Sequence, residues 1–385
     1  MSKIMKSFLR TIAMSYFAIN IANAIPRAPC DPPPSDVCCE APKPGPFAFY
    51  FPYDNYLVCG RNFYVAGEFL AMQVKQEGLD YAMTSTTGGQ NANNVSSGPL
   101  AGGEVQGFSS DCSDWSFGYG LRFNMGFLTN HDKWNLDLAY TYLHFEQDES
   151  STISGNGRLL PFWLVPQSFP TLASNTIEPE QEASAQLKIH YNTLDLSLGK
   201  PYHLSRCFAV NPYFGIRAAW IDECYLARYG GSFLGDFEAS VPEVINGVDM
   251  EADNDLWGIG IRAGIMTEWK FARGFFLFGS AAASILRTKF EIDQFVAEDD
   301  RSYTVNHYFK HNIPNAELAL GFGWTCLFNC QKNRVTVRAL YEHHHWWNIN
   351  QLRRFYDATA WSANDIVSRG DLELNGVSVR LAFDF

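Results

Sequence analysis

Three histidines stand in a row at His343, His344 and His345, followed by Trp346 and Trp347. Three imidazoles are the donor set of many zinc centres and proton relays. The flanking residues alternate apolar and polar, however, and successive residues of a strand point to opposite faces. His343 and His345 then look outward and His344 inward, so the three do not converge on one ion, and a belt of amphipathic rings is the better reading. The only other acid–base grouping is Asp299 and Asp300 with His307, in a stretch that reads as a solvated acidic loop. No catalytic residue, metal or cofactor is expected, and the chain is read as a non-enzyme.

A different set of polar residues carries more information. Glu68, Arg122, Asp137, Arg217, Arg262, Glu268, Glu317, Arg338, Glu342 and Arg380 each occupy the polar face of an otherwise apolar alternation. Charges of both signs that line one enclosed space can hold water and set a transverse field for small polar solutes. They can equally pair and close a narrow bore. Inward glycines such as Gly120, Gly260 and Gly323 are expected to widen that bore. Nine cysteines suit an oxidising compartment. Cys30, Cys38, Cys39, Cys59, Cys112, Cys207, Cys224, Cys326 and Cys330 are all disulfide candidates, and an odd number leaves one for another molecule. Cys112 with Cys224 and Cys326 with Cys330 are the pairs considered; spacing does not fix connectivity.

The elements that must position these groups are strands. Trp115, Phe117, Tyr119, Leu121, Phe123, Met125 and Phe127 share one face, against Ser116, Gly118, Gly120, Arg122, Asn124 and Gly126. A soluble core does not need seven large apolar residues facing one way; a lipid-facing strand with aromatic ends does. The same period of two recurs along the chain. At 185–198 the apolar phase slips by one, which predicts a β-bulge. The tally is ten strands, joined alternately by long loops and short turns, or twelve if a hairpin hides in 223–254 or 302–312. The long loops are placed at 78–114, 146–182, 222–254, 291–312 and 348–370. An antiparallel transmembrane outer-membrane β-barrel over 61–385 is predicted, with short turns on the periplasmic side. Its final strand alternates through Val377, Val379, Leu381, Phe383 and Phe385. That ending resembles the C-terminal strand of bacterial outer-membrane barrels, where Leu381, Phe383 and Phe385 would serve as the insertion signal read by the barrel-insertion machinery.

Ahead of the barrel, residues 1–24 read as a secretory signal: Lys3, Lys6 and Arg10, an apolar core, then Ala22-Asn23-Ala24. Its removal takes the net charge from -12 to -15, which argues against nucleic acid as a partner. Residues 25–60 read as a Pro- and Cys-rich periplasmic leader to the barrel or a plug for it. Mean hydropathy is -0.16 with 15% aromatic residues, and past the signal no apolar run reaches the roughly 18 residues of a membrane helix.

The stretch RNFYVAGEFLAMQVKQEGLDYA at 61–82, after a Cys/Pro-rich leader, resembles the major-outer-membrane-protein-like, pore-forming family of legionellae and chlamydia-related bacteria. The likeness lies in an aromatic-x-small-x-acid first strand that runs into an EGLDYA-type segment. It implies the outer membrane of a Gram-negative-type bacterium, with outer-membrane lipid around the barrel. It further implies a porin-like role and cysteines that cross-link envelope proteins or copies of the chain. No motif names a solute. A closed structural or adhesive barrel that displays its loops is the alternative.

Overall fold

The computed structural model describes residues 63–85, 103–108, 116–129, 134–154, 158–163, 180–205, 207–236, 242–272, 274–298, 301–329, 332–356, 364–367 and 369–385. Residues 1–60, read above as a signal and leader, fall outside them, as do Trp115, Asp299, Asp300, Cys112 and Cys330; Cys30, Cys38, Cys39 and Cys59 lie within 1–60.

Ten strands form the wall: β1 (Phe63–Gln76), β2 (Gly118–Leu128), β3 (Asn135–Ser154), β4 (Glu180–Gly199), β5 (Phe208–Asp236), β6 (Pro242–Lys270), β7 (Phe275–Glu298), β8 (Arg301–Phe328), β9 (Asn333–Asn350) and β10 (Gly370–Asp384). Each pairs antiparallel with its neighbours in chain order, and β10 returns to β1, Glu68 lying opposite Arg380. Closure satisfies the backbone groups of every strand, which hydrocarbon cannot do. Four turns of four to eight residues lie at one end. One of the two four-residue turns, between β6 and β7, uses Gly274 at φ 79°, a conformation that an L side chain resists.

An apolar belt girds the outside. On β2, Tyr119, Leu121, Phe123, Met125 and Phe127 are all exposed, and on β6 the outward run is Trp257, Ile259, Ile261, Ala263, Ile265 and Trp269. Trp257 and Trp269 are 12 residues apart. At about 3.3 Å per residue and a tilt of about 45° that separation spans about 28 Å, close to one hydrocarbon layer.

Beyond the belt the strands continue, and their faces exchange character. On β6 the outward positions above Trp257 are Asp255, Asp253, Glu251 and Asp249, while inward Leu256, Ala252, Met250 and Val248 are buried. Below Trp257 the inward positions are instead three glycines, Arg262, Met266, Glu268 and Lys270. Side-chain direction never changes; the medium outside does. Where lipid surrounds the wall, its apolar residues face out. Where water surrounds it, they face in and build an ordinary core. That core occupies the extracellular half of the lumen, with Tyr225, Phe290 and Trp346 from the wall and Leu79, Tyr81, Phe108, Leu159 and Trp163 from the loops.

This exchange corrects two expectations. Ala185, Leu187, Ile189 and Tyr191 are buried in the core, whereas Leu194 and Leu196 face lipid. The ladders of β4 with β3 and β5 run unbroken through this point, so the phase slip is a change of surroundings and not a bulge. Likewise 222–254 and 291–312 are mostly wall: β5 and β6 pair out to Asp236 and Pro242, β7 and β8 to Glu298 and Arg301. They looked like loops because their outer face is polar. The barrel keeps ten strands. Within the loops, Ala82–Ser85 pairs with Gly103–Gln106 and Arg158–Pro161, and Arg353–Tyr356 pairs with Asn364–Val367.

Candidate functional site

At mid-height the lumen is crossed by a chain of ion pairs. Arg122 on β2 donates two hydrogen bonds to Glu342 on β9, at 3.1 and 2.9 Å, and lies 3.1 Å from Glu68 on β1. His344, two residues beyond Glu342 on the same inward face, sits 2.9 Å from Glu342 and 3.6 Å from Glu317 on β8. Glu317 accepts from Arg217 on β5 and Arg262 on β6. Arg217 also makes a bidentate pair with Asp195 on β4, both bonds 2.6 Å, and donates to Asn315 at 2.8 Å. Thr141 on β3, Ser284 on β7 and Ser378 on β10 complete the ring by bonding Arg122, Asn315 and Glu342. Every strand of the wall contributes a side chain. Such a network holds because each buried charge has an opposite charge and further polar contacts; removing one member strands the rest.

Below the network a cavity of about 370 Å³ lined by charged and apolar side chains reaches the short-turn end. All ten inward charges named from the sequence line it: Glu68, Arg122, Arg217, Arg262, Glu317 and Glu342 in the crossing layer, and Asp137, Glu268, Arg338 and Arg380 nearer the mouth. Asp137 accepts from the Tyr64 hydroxyl, and Arg338 donates to Glu268 at 2.6 Å while stacking 4.4 Å from the Phe278 ring. The inward glycines do not widen the space. A methyl group at Gly323 would lie 2.1 Å from the Phe276 ring, and one at Gly126 2.3 Å from Tyr64. At these two positions an aromatic ring takes the space beside the glycine, whereas at Gly120 and Gly260 the neighbouring strand's backbone does.

Above the network the described residues build the apolar core. The loops that enter it are tied down: Tyr225 donates to Leu79 O at 3.2 Å, Tyr229 to Tyr81 O at 2.6 Å, and Arg354 to Gly78 O and Asp80 O while stacking on Trp163. Glu223, the first inward carboxylate above the belt, is buried in this core. Asn254 donates to it at 2.8 Å, and burial pushes its pKa up to about 7.

Sequence reading passed over Asp195, Asn315 and Tyr64, and left His344 out of the lining. Asp195 was hidden by the phase slip, whose neighbours gave it no fixed face. His344 does point inward as its parity dictates, while His343 meets Asn375 and His345 lies 3.0 Å from Asp371 on the outer face. His307 stacks on Phe309. Among the described residues Cys207, Cys224 and Cys326 are free thiols, and Cys224 sits on the β5 wall and not in a loop.

The family model of the Legionella pneumophila major outer membrane protein precursor matches residues 60–385, the whole barrel. The chain belongs to this family. As a member of the major outer membrane protein family it resides in the bacterial outer membrane. No curated protein matches the sequence. Among solved structures, outer membrane protease OmpT from Escherichia coli is 10% identical, covering 85% of this chain and 97% of that one, with a TM-score of 0.37. A FadL homologue of Pseudomonas aeruginosa is 11% identical, covering 84% and 89%, with a TM-score of 0.28. Likeness this distant has no bearing on what passes through the barrel.

Proposed function

We propose that this barrel is a gated pore for small hydrophilic solutes whose resting state is shut. The observation that supports it is the cavity of about 370 Å³, lined by charges of both signs, which ends at the ion-pair layer. A barrel of about eight strands is just filled by its own side chains; here a comparable filling is confined to the extracellular half. Opening requires the loop-borne residues Tyr81, Phe108 and Trp163 to leave the lumen and the Arg122–Glu342 and Arg217–Glu317 pairs to part. The exposed free thiol of Cys207 at the short-turn end supports the cysteine-linked envelope role. No catalytic step is assigned.

A second reading, a non-conducting barrel that displays loops, is favoured by the extent of the apolar core. Conductance of refolded, heat-modifiable protein in a planar bilayer separates the two. Wild type should give rare, discrete openings, and Tyr81→Ala combined with Trp163→Ala should raise their frequency at least about tenfold. Silence from both proteins would overturn the pore and leave the scaffold.

A further inference from the structure

Charge is not balanced evenly along the cavity. In the crossing layer each arginine meets a carboxylate. Nearer the mouth, Arg334 makes a bidentate pair with Asp384 at 3.0 and 3.0 Å, and Arg338 bonds Glu268. Arg380 lies directly opposite Arg338 on the neighbouring strand, so two guanidinium groups share one stretch of wall. Among the described residues no carboxylate lies within ion-pair distance of Arg380, and its buried Nε has no hydrogen-bond partner; nor has the Nε of Arg338. Its cross-strand neighbour on the other side, Glu68, pairs through Oε2 with Arg122 and makes no ion pair with Arg380. Lys270, which also lines the cavity, adds a further cation at the same end.

Two like charges side by side, one of them uncompensated, are unfavourable in a confined space unless an anion joins them. Guanidinium groups present a planar donor fork that matches oxyanions, whether carboxylate or phosphate. The rings of Phe276 and Phe278 hold the Arg338 fork in place, at 5.5 and 4.4 Å. We propose that Arg338 and Arg380 form a binding subsite for a small oxyanion, a carboxylate or a phosphate, inside the short-turn-facing cavity. The proposal deepens the pore reading by naming a solute class, yet it needs only the cavity and not an open path.

The test is equilibrium binding, which is independent of conductance. Refolded barrel in a neutral detergent is titrated with inorganic phosphate and, separately, with succinate, following phosphorus-31 line width and calorimetric heat. Wild type should saturate with at least one of the two, and Arg380→Gln should weaken that binding about tenfold or more, the loss expected for charge-assisted hydrogen bonds. Lys188→Gln makes the same charge change outside the cavity and should alter affinity less than about twofold. Phosphate alone, succinate alone or both would identify the oxyanion source and support the site. Absence of saturable binding to wild type, or equal affinities for wild type and Arg380→Gln, would overturn it. A heat-modifiable band for each variant shows that the barrel has folded. A silent bilayer with intact, Arg380-dependent binding would sink the pore and keep the subsite.

Discussion

The exchange of faces along one strand can be tested with lysine placed at three positions of β6. Ile261 points outward and is 72% exposed, four residues below Trp257 and eight above Trp269. With about 3.3 Å per residue and about 45° of tilt, it lies about 9 Å inside one aromatic girdle and about 19 Å from the other. Ile261→Lys should therefore cost about 2–3 kcal/mol, near the value for lysine on the lipid face of a barrel. Glu251 points the same way on the same strand, opposite Leu226 on β5, but above the girdle. Glu251→Lys there should change stability by less than about 0.5 kcal/mol, as for an ordinary water-facing substitution. Met250 is its inward neighbour at 1% exposure. Met250→Lys puts a charge into a dry core and should cost at least about 3 kcal/mol. Reversible urea unfolding in phospholipid vesicles, followed by tryptophan fluorescence, measures all three. Equal costs for Ile261→Lys and Glu251→Lys would mean that both sites see the same medium, and the assigned membrane boundary would be wrong.

Further outcomes follow from the buried charges. Arg217→Met removes the bidentate partner of Asp195 and one of the two arginines on Glu317, leaving both carboxylates to Arg262 alone, and should cost about 3 kcal/mol or more in the same unfolding assay; adding Asp195→Asn should recover part of the loss. A cost below about 1 kcal/mol would show the network to be solvated and slack. Glu223 has a folded pKa raised from 4.5 to about 7 by burial, so the folded state holds its proton more tightly than the unfolded one. Stability should then fall as pH rises from about 4.5 to about 7, by up to about 3 kcal/mol, and level off above. Asp255, raised to about 6 by burial and by its acidic neighbours, adds to the same slope. Glu223→Gln should flatten that slope and stabilise the barrel at pH 8; an unchanged profile would refute the assignment.

Much of the wall was legible in the chain. Period-two alternation is a local property, because a strand places successive side chains on opposite faces whatever surrounds it. The β2 run from Phe117 to Phe127, the inward parity of Arg122, Arg262 and His344, and the count of ten strands all follow from it. Alternation says which residues share a face, but not which medium that face meets. For Tyr225, Met250 and Asp255 the answer depends on how far the strand extends past the girdle, a distance fixed by pairing with neighbours remote in sequence. Hence the outer halves of β5–β8 read as loops and the turnover at Tyr191 and Leu194 read as a bulge. The partners of the charges were hidden for the same reason. Arg122 and Glu342 are 220 residues apart, and closure of the ring alone brings them to 2.9 Å. Whether Gly323 opens the bore or receives the Phe276 ring depends on a side chain two strands' length away. The sequence by itself determined the strands, their faces and the charges turned inward. Only the tertiary structure decided that those charges pair across the lumen under an apolar core, because contacts between strands set the height of the wall and the filling of its interior.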